Sequence, residues 1–443
     1  MDSINAADTA WVMACAALVL LMTPGLALFY GGMVRAKSAL NMIMMSFTAL
    51  GVVTLTWIAL GYTIAFGSDT GSGLVGDLQE IGLVGALDQT VGAEGHEIPM
   101  LAFVMFQLTF AVVTTALLSG AIADRTKFGA WILFAVVWSL LVYAPIAHWA
   151  FSFEGGRGGW IGDRLGALDF AGGTAVEINS GASALALALV VGVRVGFRRD
   201  PMRPHSLPLV LLGAGLLWFG WLGFNAGSAL AATGTAAVAL INTQAAAGAA
   251  ALTWIGYERI KDGKATTLGV ASGAVAGMVA ITPACGFVTP LGAIAIGLAA
   301  GFICAWAVGQ KYRLGFDDSL DVVGVHGVGG LVGMIGIGFL ATTAANAAGA
   351  DGLLYGGGLG LLGKQVLACI GTMAYAFAIT WLIAIVINRI MGFRVAPEDE
   401  VAGLDTTLHA ESAYDLAGVA GGGVLGGVHP LSNLRNGREE DYR

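Results

Sequence analysis

The chain has 443 residues, 57% hydrophobic and only 11% charged, with a mean hydropathy of +0.79. A soluble domain carries roughly 25% charged residues, so a water-soluble globular enzyme is excluded and a polytopic membrane protein is described. The formal net charge of −8 is spread over loops and forms no basic field for nucleic acid.

Apolar stretches of about 20 residues, enough to cross a bilayer as helix, fall near 10–31, 42–66, 100–122, 129–150, 172–193, 207–230, 237–256, 268–287, 291–310, 322–343 and 361–388. Eleven spans put the termini on opposite sides. Of the 21 Lys and Arg, 18 follow odd-numbered spans or lie in the C-terminal tail. These include Arg35, Arg125, Arg194, Lys261, Lys311 and Arg394, and in the tail Arg435, Arg438 and Arg443. Arg157, Arg164 and Lys364 fall opposite, as does a 67–99 loop with six acids and no Lys or Arg. Positive loops stay cytoplasmic, so the expectation is N-terminus outside, C-terminus inside. Met1 lies about ten residues from the first span, which leaves no room for a cleavable signal. Cys15, Cys285, Cys304 and Cys369 lie in apolar segments without metal-ligand spacing and read as buried thiols.

Span one carries Gly25-Leu-Ala-Leu-Phe29-Tyr-Gly-Gly32, echoed in span six by Gly220-Trp-Leu-Gly-Phe224-Asn-Ala-Gly227. Five spans followed by five more run with opposite topology, the inverted-repeat plan of many transporters. The expected fold is therefore an all-α integral membrane protein: a 5+5 inverted repeat plus one helix. A transmembrane domain occupies 1–391, with repeats at about 10–193 and 207–343 and an eleventh helix at about 361–388. A cytoplasmic tail occupies 392–443.

In span three, Phe106 and Phe110 stand four residues apart on one helical face. Span six adds Trp218, Trp221, Phe224 and Ser228 toward its outer end. Ring faces and a hydroxyl acceptor suit a partly dehydrated cation, although helix packing and interfacial anchoring explain most membrane aromatics. Spans five and ten each hold an ionisable residue eight positions after an aspartate: Asp169 to Glu177, and Asp318 to His326. Eight helical residues rise roughly 12 Å, which brings both to mid-membrane from opposite sides. Such residues mark polar paths, proton relays or substrate sites, unless separate neighbours satisfy each of them. Asp169, Asp317, Asp318 and Asp321 sit where carboxylates cap free helix N–H groups, which predicts structural roles. Gly358-Leu-Gly-Leu-Leu-Gly363-Lys364-Gln365 fails as a phosphate loop because Gln365 replaces the Mg²⁺-binding Ser/Thr. The chain shows no nucleophile–His–acid constellation and no cofactor motif, and no enzyme is expected.

Phe29-Tyr-Gly-Gly, Asp169-Phe-Ala-Gly-Gly-Thr, Gly223-Phe-Asn-Ala-Gly-Ser228, Thr282-Pro-Ala-Cys-Gly286 and Gly324-Val-His326-Gly-Val-Gly-Gly resemble the ammonium transporter (Amt/Mep/Rh) family over about residues 8–416. The resemblance implies a homotrimer in the cell (inner) membrane, with one narrow pore per protomer. It implies an outer ammonium site of Phe110, Phe151 and Ser228 with Phe106 nearby, a stacked gate of Phe110 and Phe224, and Trp221 lining the lumen. Glu177 and His326 would occupy the paired-histidine position, and Asp169 would support the outer site. The tail stretch 403–414 resembles the segment that couples protomers and meets a PII-type signalling protein. Two departures stand out. Glu177 replaces the commoner His, as in a fungal subgroup, and Phe151 replaces the usual Trp in a lengthened loop. Trp149, Phe153 or Trp160 are alternative sources of that ring. An ammonium sensor with little flux, an Rh-like neutral gas channel and a cation channel leaking K⁺ are the rival functions.

Overall fold

Inside a bilayer no water is present to satisfy backbone N–H and C=O groups, so each apolar run closes its hydrogen bonds within itself as helix. The computed structural model describes residues 4–414; Arg435, Arg438 and Arg443 lie outside them. Among these residues ten helices are long and apolar enough to cross a membrane: α1 (Ala6–Met33), α2 (Ala36–Phe66), α3 (Met100–Ile122), α4 (Phe128–Phe151), α5 (Gly173–Val191), α6 (Leu207–Gly227), α7 (Gly234–Asp262), α9 (Pro290–Leu314), α10 (Val323–Leu340) and α11 (Gly360–Met391). Between α7 and α9 lies α8 (Thr267–Ile281), apolar but only 15 residues long. The sequence predicts helix to residue 287 there. It stops at Ile281 because Pro283 has no N–H to offer, and the chain turns through Thr282–Val288 instead. The 67–99 loop pairs Thr90–Val91 with Ile98–Pro99 in a short antiparallel ladder.

Helix starts follow local chemistry. Ser206 Oγ accepts from Leu209 N ahead of Pro208, and Thr289 Oγ1 accepts from Gly292 N ahead of Pro290. In the bundle α1 lies along α6, and α7 is flanked by α8 and α9. The 32-residue α11, about 48 Å at 1.5 Å per residue, packs along α5 and α10.

The centre depends on α5 and α10. Each begins with a wide π-helical turn, Gly173–Ile178 and Val323–Gly327, before continuing as ordinary helix. Wide turns of this kind are frequent at functional sites. The backbones cross at Gly181 and Gly327, where a Cβ added to Gly181 would stand 2.1 Å from the Gly327 Cα. Only a residue without a side chain permits that approach.

One end of the bundle gathers arginines on carboxylates. Arg194 grips Asp317 through Nε (2.9 Å) and Nη2 (2.8 Å), and also reaches Asp124. Buried Arg125 donates to the carbonyls of Ala121, Ala123, Gly192 and Asp317 and to Ser319 Oγ. Burial pushes Asp317 up, but Arg194 and Arg125 overcome this and hold its carboxyl below the usual range.

Two short helices, α12 (Pro397–Ala402) and α13 (Leu404–His409), dock on this same end. Asp405 accepts from Leu40 N (3.0 Å) and Asn41 N (2.8 Å), capping α2 from 365 and 364 residues away. Glu400 holds Arg394 (2.7 Å) and Val195 N. His205 meets the Tyr414 hydroxyl at 2.9 Å.

Gly181→Val is expected to force α5 and α10 apart. Overpacking of this kind costs about 1–3 kcal/mol or more, so detergent-solubilised protein should melt several degrees lower. Gly215→Ala, with open space around its Cβ position, is the matched control and should leave the melting temperature unchanged.

Candidate functional site

The chain encloses two cavities in line, separated by a pair of rings. The first, of about 250 Å³, opens at the end that carries the 67–99 loop. Phe110, Phe151, Ser228 and Asp169 line it, together with Phe103, Gln107, Phe153, Phe170, Leu230 and Phe287. The second, of about 20 Å³, is a narrow lumen in the middle of the bundle, walled by Phe29, Tyr30, Val113, Leu117, Val176 and Trp221, and reaching Glu177 and His326. A cavity needs roughly 10–15 Å³ on this measure to hold one water, so the lumen admits about one small molecule at a time. Phe110 belongs to the first cavity and Phe224 to the second. Their rings lie 4.1 Å apart at 31° and close the space between them.

Ser228 follows the last turn of α6, and its hydroxyl donates to Phe224 O at 2.9 Å. Its one proton is thereby committed, and the oxygen lone pairs are left as acceptors for an N–H in the cavity. Asp169 serves its own backbone. Its carboxylate accepts from Gly172 N (2.9 Å), Gly173 N (2.7 Å), Thr174 N (2.7 Å) and the Thr174 hydroxyl. Those groups are the free donors at the start of α5.

In the lumen, His326 Nδ1 and Glu177 Oε2 are 2.7 Å apart. Both side chains are buried, and Glu177 Oε1 has no hydrogen-bond partner among the described residues. With Nδ1–H on the carboxylate, Nε2 carries the ring's free lone pair. Trp221 is fixed by its indole N–H on Thr282 Oγ1 (2.8 Å), and the Thr282 hydroxyl donates back to Met278 O (2.8 Å), with Asn225 Oδ1 at 3.2 Å. The turn that shortens α8 thus orients a lumen wall.

Several residues expected from sequence occupy other positions. Phe106 is fully buried behind Phe110, with ring centroids 4.8 Å apart, and does not line the cavity. Phe151 is the last residue of α4 rather than a loop residue. Trp149 and Trp160 face each other at 5.5 Å, and the Trp149 indole donates to Leu74 O. Of the three alternative rings only Phe153 reaches the cavity. Asp317 and Asp321 do not cap helices: Asp317 holds Arg194, and Asp321 pairs with Lys311 at 2.7 Å. Sequence reasoning missed Phe103 and Gln107, although Phe103, Gln107 and Phe110 recur at i, i+4 and i+7, the spacing of one helical face.

Two cavities within a bundle of apolar helices, meeting across stacked rings and reaching a buried acid–imidazole pair, have the form of a polytopic membrane transporter. The model of the Ammonium Transporter Family matches residues 10–414, and the chain belongs to that family. It is 52% identical to an ammonium transporter of Mycobacterium tuberculosis (strain H37Rv), with 98% of this chain and 95% of the relative covered. It is 48% identical to an ammonium transporter of Bacillus subtilis (strain 168), with 92% and 98% covered. Among solved structures it is similar to Candida albicans Mep2, with a TM-score of 0.81, 33% identity and 90% and 88% coverage. A sensor Amt protein is also similar, with a TM-score of 0.82, 28% identity and 91% and 98% coverage.

Asp169→Ala would strand three backbone N–H groups, each worth about 1–3 kcal/mol if left unsatisfied. The expected result is a markedly lower melting temperature, with Asp169→Asn falling between Ala and wild type because its amide oxygen still accepts. Equal melting temperatures for all three would contradict the capping role.

Proposed function

We propose that this protein conducts ammonium across the cell (inner) membrane by splitting it. NH₄⁺ is recruited at the first cavity against Phe110, Phe151 and the Ser228 acceptor, with Phe106 behind Phe110. It gives up a proton near the Phe110–Phe224 gate. NH₃ then passes along the Trp221-lined lumen, while the proton is carried by Glu177 and His326. The carrying observation is the order of the parts: an acceptor-lined vestibule, a ring barrier, and a lumen of about 20 Å³ ending at a carboxylate–imidazole hydrogen bond.

Energetics decide between intact and split passage. Moving an ammonium-sized ion from water into a medium of low dielectric costs on the order of 20 kcal/mol in the idealised limit. A neutral molecule losing its hydrogen bonds costs roughly 2–7 kcal/mol. Phenylalanine rings and aliphatic walls offer no shell to replace the ion's water, so NH₃ is the species that crosses. Glu177 and His326 share a hydrogen bond and hold or release a proton as one unit.

The same reading counts α8 as a short eighth span, giving eleven helices, a 5+5 inverted repeat and an N-out, C-in topology. The pairing of α1 with α6 and the matched wide turns of α5 and α10 support it. The repeats would run about 10–193 and 207–343 within a transmembrane domain of 1–391, with 392–443 as a cytoplasmic tail. On this reading the arginine-rich end is cytoplasmic, three protomers assemble, and a PII-type protein meets the tail-bearing face. Asp169, Asp317 and Asp321 support the fold rather than touch substrate. A sensor role is the second reading, favoured by the likeness to the sensor Amt protein; sustained ammonium current excludes it.

His326→Ala is expected to abolish ammonium-evoked current in proteoliposomes from protein that remains folded. Glu177→Gln should reduce it strongly. Glu177→His should keep current with a changed pH profile and less K⁺ leak. Superimposable profiles for the Glu177 variants and wild type would reduce Glu177 to a satisfied buried group. Ser228→Ala removes one neutral acceptor, worth about 0.5–1.5 kcal/mol. The half-saturating ammonium concentration should rise about 2- to 10-fold, and an unchanged value would place recruitment elsewhere.

A further inference from the structure

Six of the residues lining the first cavity are phenylalanines: Phe103, Phe110, Phe151, Phe153, Phe170 and Phe287. Hydrogen-bonding side chains are few beside them: Gln107, Ser228 and Asp169. The Ser228 proton is committed to Phe224 O. Both oxygens of Asp169 are taken up by four donors. Asp318, at the matching place before α10, differs: it accepts from Val323 N (2.7 Å), and its Oδ1 has no partner among the described residues. A carboxylate has about four lone-pair sites, so Asp169 brings negative charge to the cavity without a free acceptor.

The most open of these rings is held in place. Phe153 is 65% exposed and stands in the loop after α4. Asp163 Oδ2 accepts from Glu154 N (2.9 Å), Gly156 N (2.8 Å) and Gly158 N (2.8 Å), and Glu154 Oε1 accepts from Asp69 N (2.7 Å). A loop closed on one carboxylate and tied to the 67–99 loop has little left to order when a ligand arrives. Burial pushes the Asp163 carboxyl up, but these N–H groups outweigh it and hold the carboxyl below its usual range, so the closure persists at neutral pH.

Many ring faces, a negative charge and few hydrogen-bonding groups suit a particular kind of cation. Ring faces attract positive charge through their quadrupole, and aromatic cages are the usual binders of quaternary ammonium ions. NH₄⁺ loses hydrogen bonds to water on entering such a space and regains few from phenylalanine. A quaternary ion has no N–H and no such bonds to lose, and its methyl groups leave water favourably. Size separates the two cavities as well. At roughly 10–15 Å³ per water on this measure, the cavity of about 250 Å³ has room for an ion of one nitrogen and four carbons, and the lumen of about 20 Å³ has not.

We propose that the first cavity is a binding site for small quaternary ammonium ions, and that such an ion, seated among the phenylalanine rings, blocks the entry of ammonium. The block, though not the binding, rests on the reading of this cavity as the place of ammonium recruitment. A quaternary ion has no proton to give up and is too large for the lumen, so it stays on the near side of the Phe110–Phe224 rings and leaves as it came. Two residues distinguish the ligands. The Ser228 oxygen serves an N–H of ammonium and finds nothing to accept from a quaternary ion. The Phe153 ring face serves the quaternary ion by charge and by contact.

The probe is tetramethylammonium chloride, compared with sodium chloride at equal ionic strength. Calorimetry on detergent-solubilised protein is expected to show saturable binding, a readout that needs no transport. In proteoliposomes the ion should raise the half-saturating ammonium concentration, leave the maximal current unchanged and carry no current itself. tert-Butanol, similar in shape but neutral, should bind about 5-fold or more weakly for want of the charge–ring attraction. Phe153→Leu keeps an apolar side chain without the ring and should weaken tetramethylammonium binding about 2- to 5-fold. Ser228→Ala should leave that binding unchanged while weakening the response to ammonium. The proposal is overturned by no saturable binding, by equal binding of tert-butanol, by binding that leaves the ammonium current unblocked, or by an affinity that follows Ser228→Ala instead of Phe153→Leu. Wild-type protein that binds the probe but passes no ammonium current would instead overturn the transport reading and leave the site standing.

Discussion

A carboxylate and an imidazole held 2.7 Å apart inside an apolar lumen are stable only if the backbone brings them together and keeps them there. A lone charge at that depth is expensive, while a paired one is supported by a hydrogen bond that water does not contest. The close crossing at Gly181 and Gly327 provides this. It sets the spacing of α5 and α10, their wide turns aim Glu177 and His326 at the same space, and the remaining helices pack around that crossing.

The ring pair and the lumen follow from the same constraint. Phe110 and Phe224 come from different helices and meet at 4.1 Å because α3 and α6 both pack along α1. Fixing Trp221 by its indole bond to Thr282 leaves its ring face as a wall of the lumen. An apolar wall makes the loss of water costlier for a charged group than for a neutral one.

Stability at the arginine-rich end comes from buried ion pairs and backbone contacts instead of apolar packing. The Arg194–Asp317 fork and the donors of Arg125 join the loops after α3 and α5 to the one before α10. Removing one partner of such a pair costs about 3–5 kcal/mol, because a charge is left buried alone. Asp405 extends the same logic to the tail, whose carboxylate satisfies the first free N–H groups of α2.

The sequence alone determined the class of protein, the order of the apolar runs, the ends rich in arginine, and the two buried ionisable residues Glu177 and His326, although it set them eight helical residues deep where the structure has them in the first turns of α5 and α10. Each of these is written in one-dimensional pattern: length, hydropathy, charge and spacing. The family followed from motifs spread over nearly the whole chain. Tertiary structure decided what depends on the rotation and depth of neighbouring helices. It placed Phe106 behind Phe110 instead of in the cavity, turned Trp149 and Trp160 toward each other, and added Phe103 and Gln107 to the vestibule. It also separated Asp169 from Asp318, which sequence reads as equivalent caps. The number of donors around a carboxylate depends on which backbones approach it, and a spacing of eight residues carries no information about that.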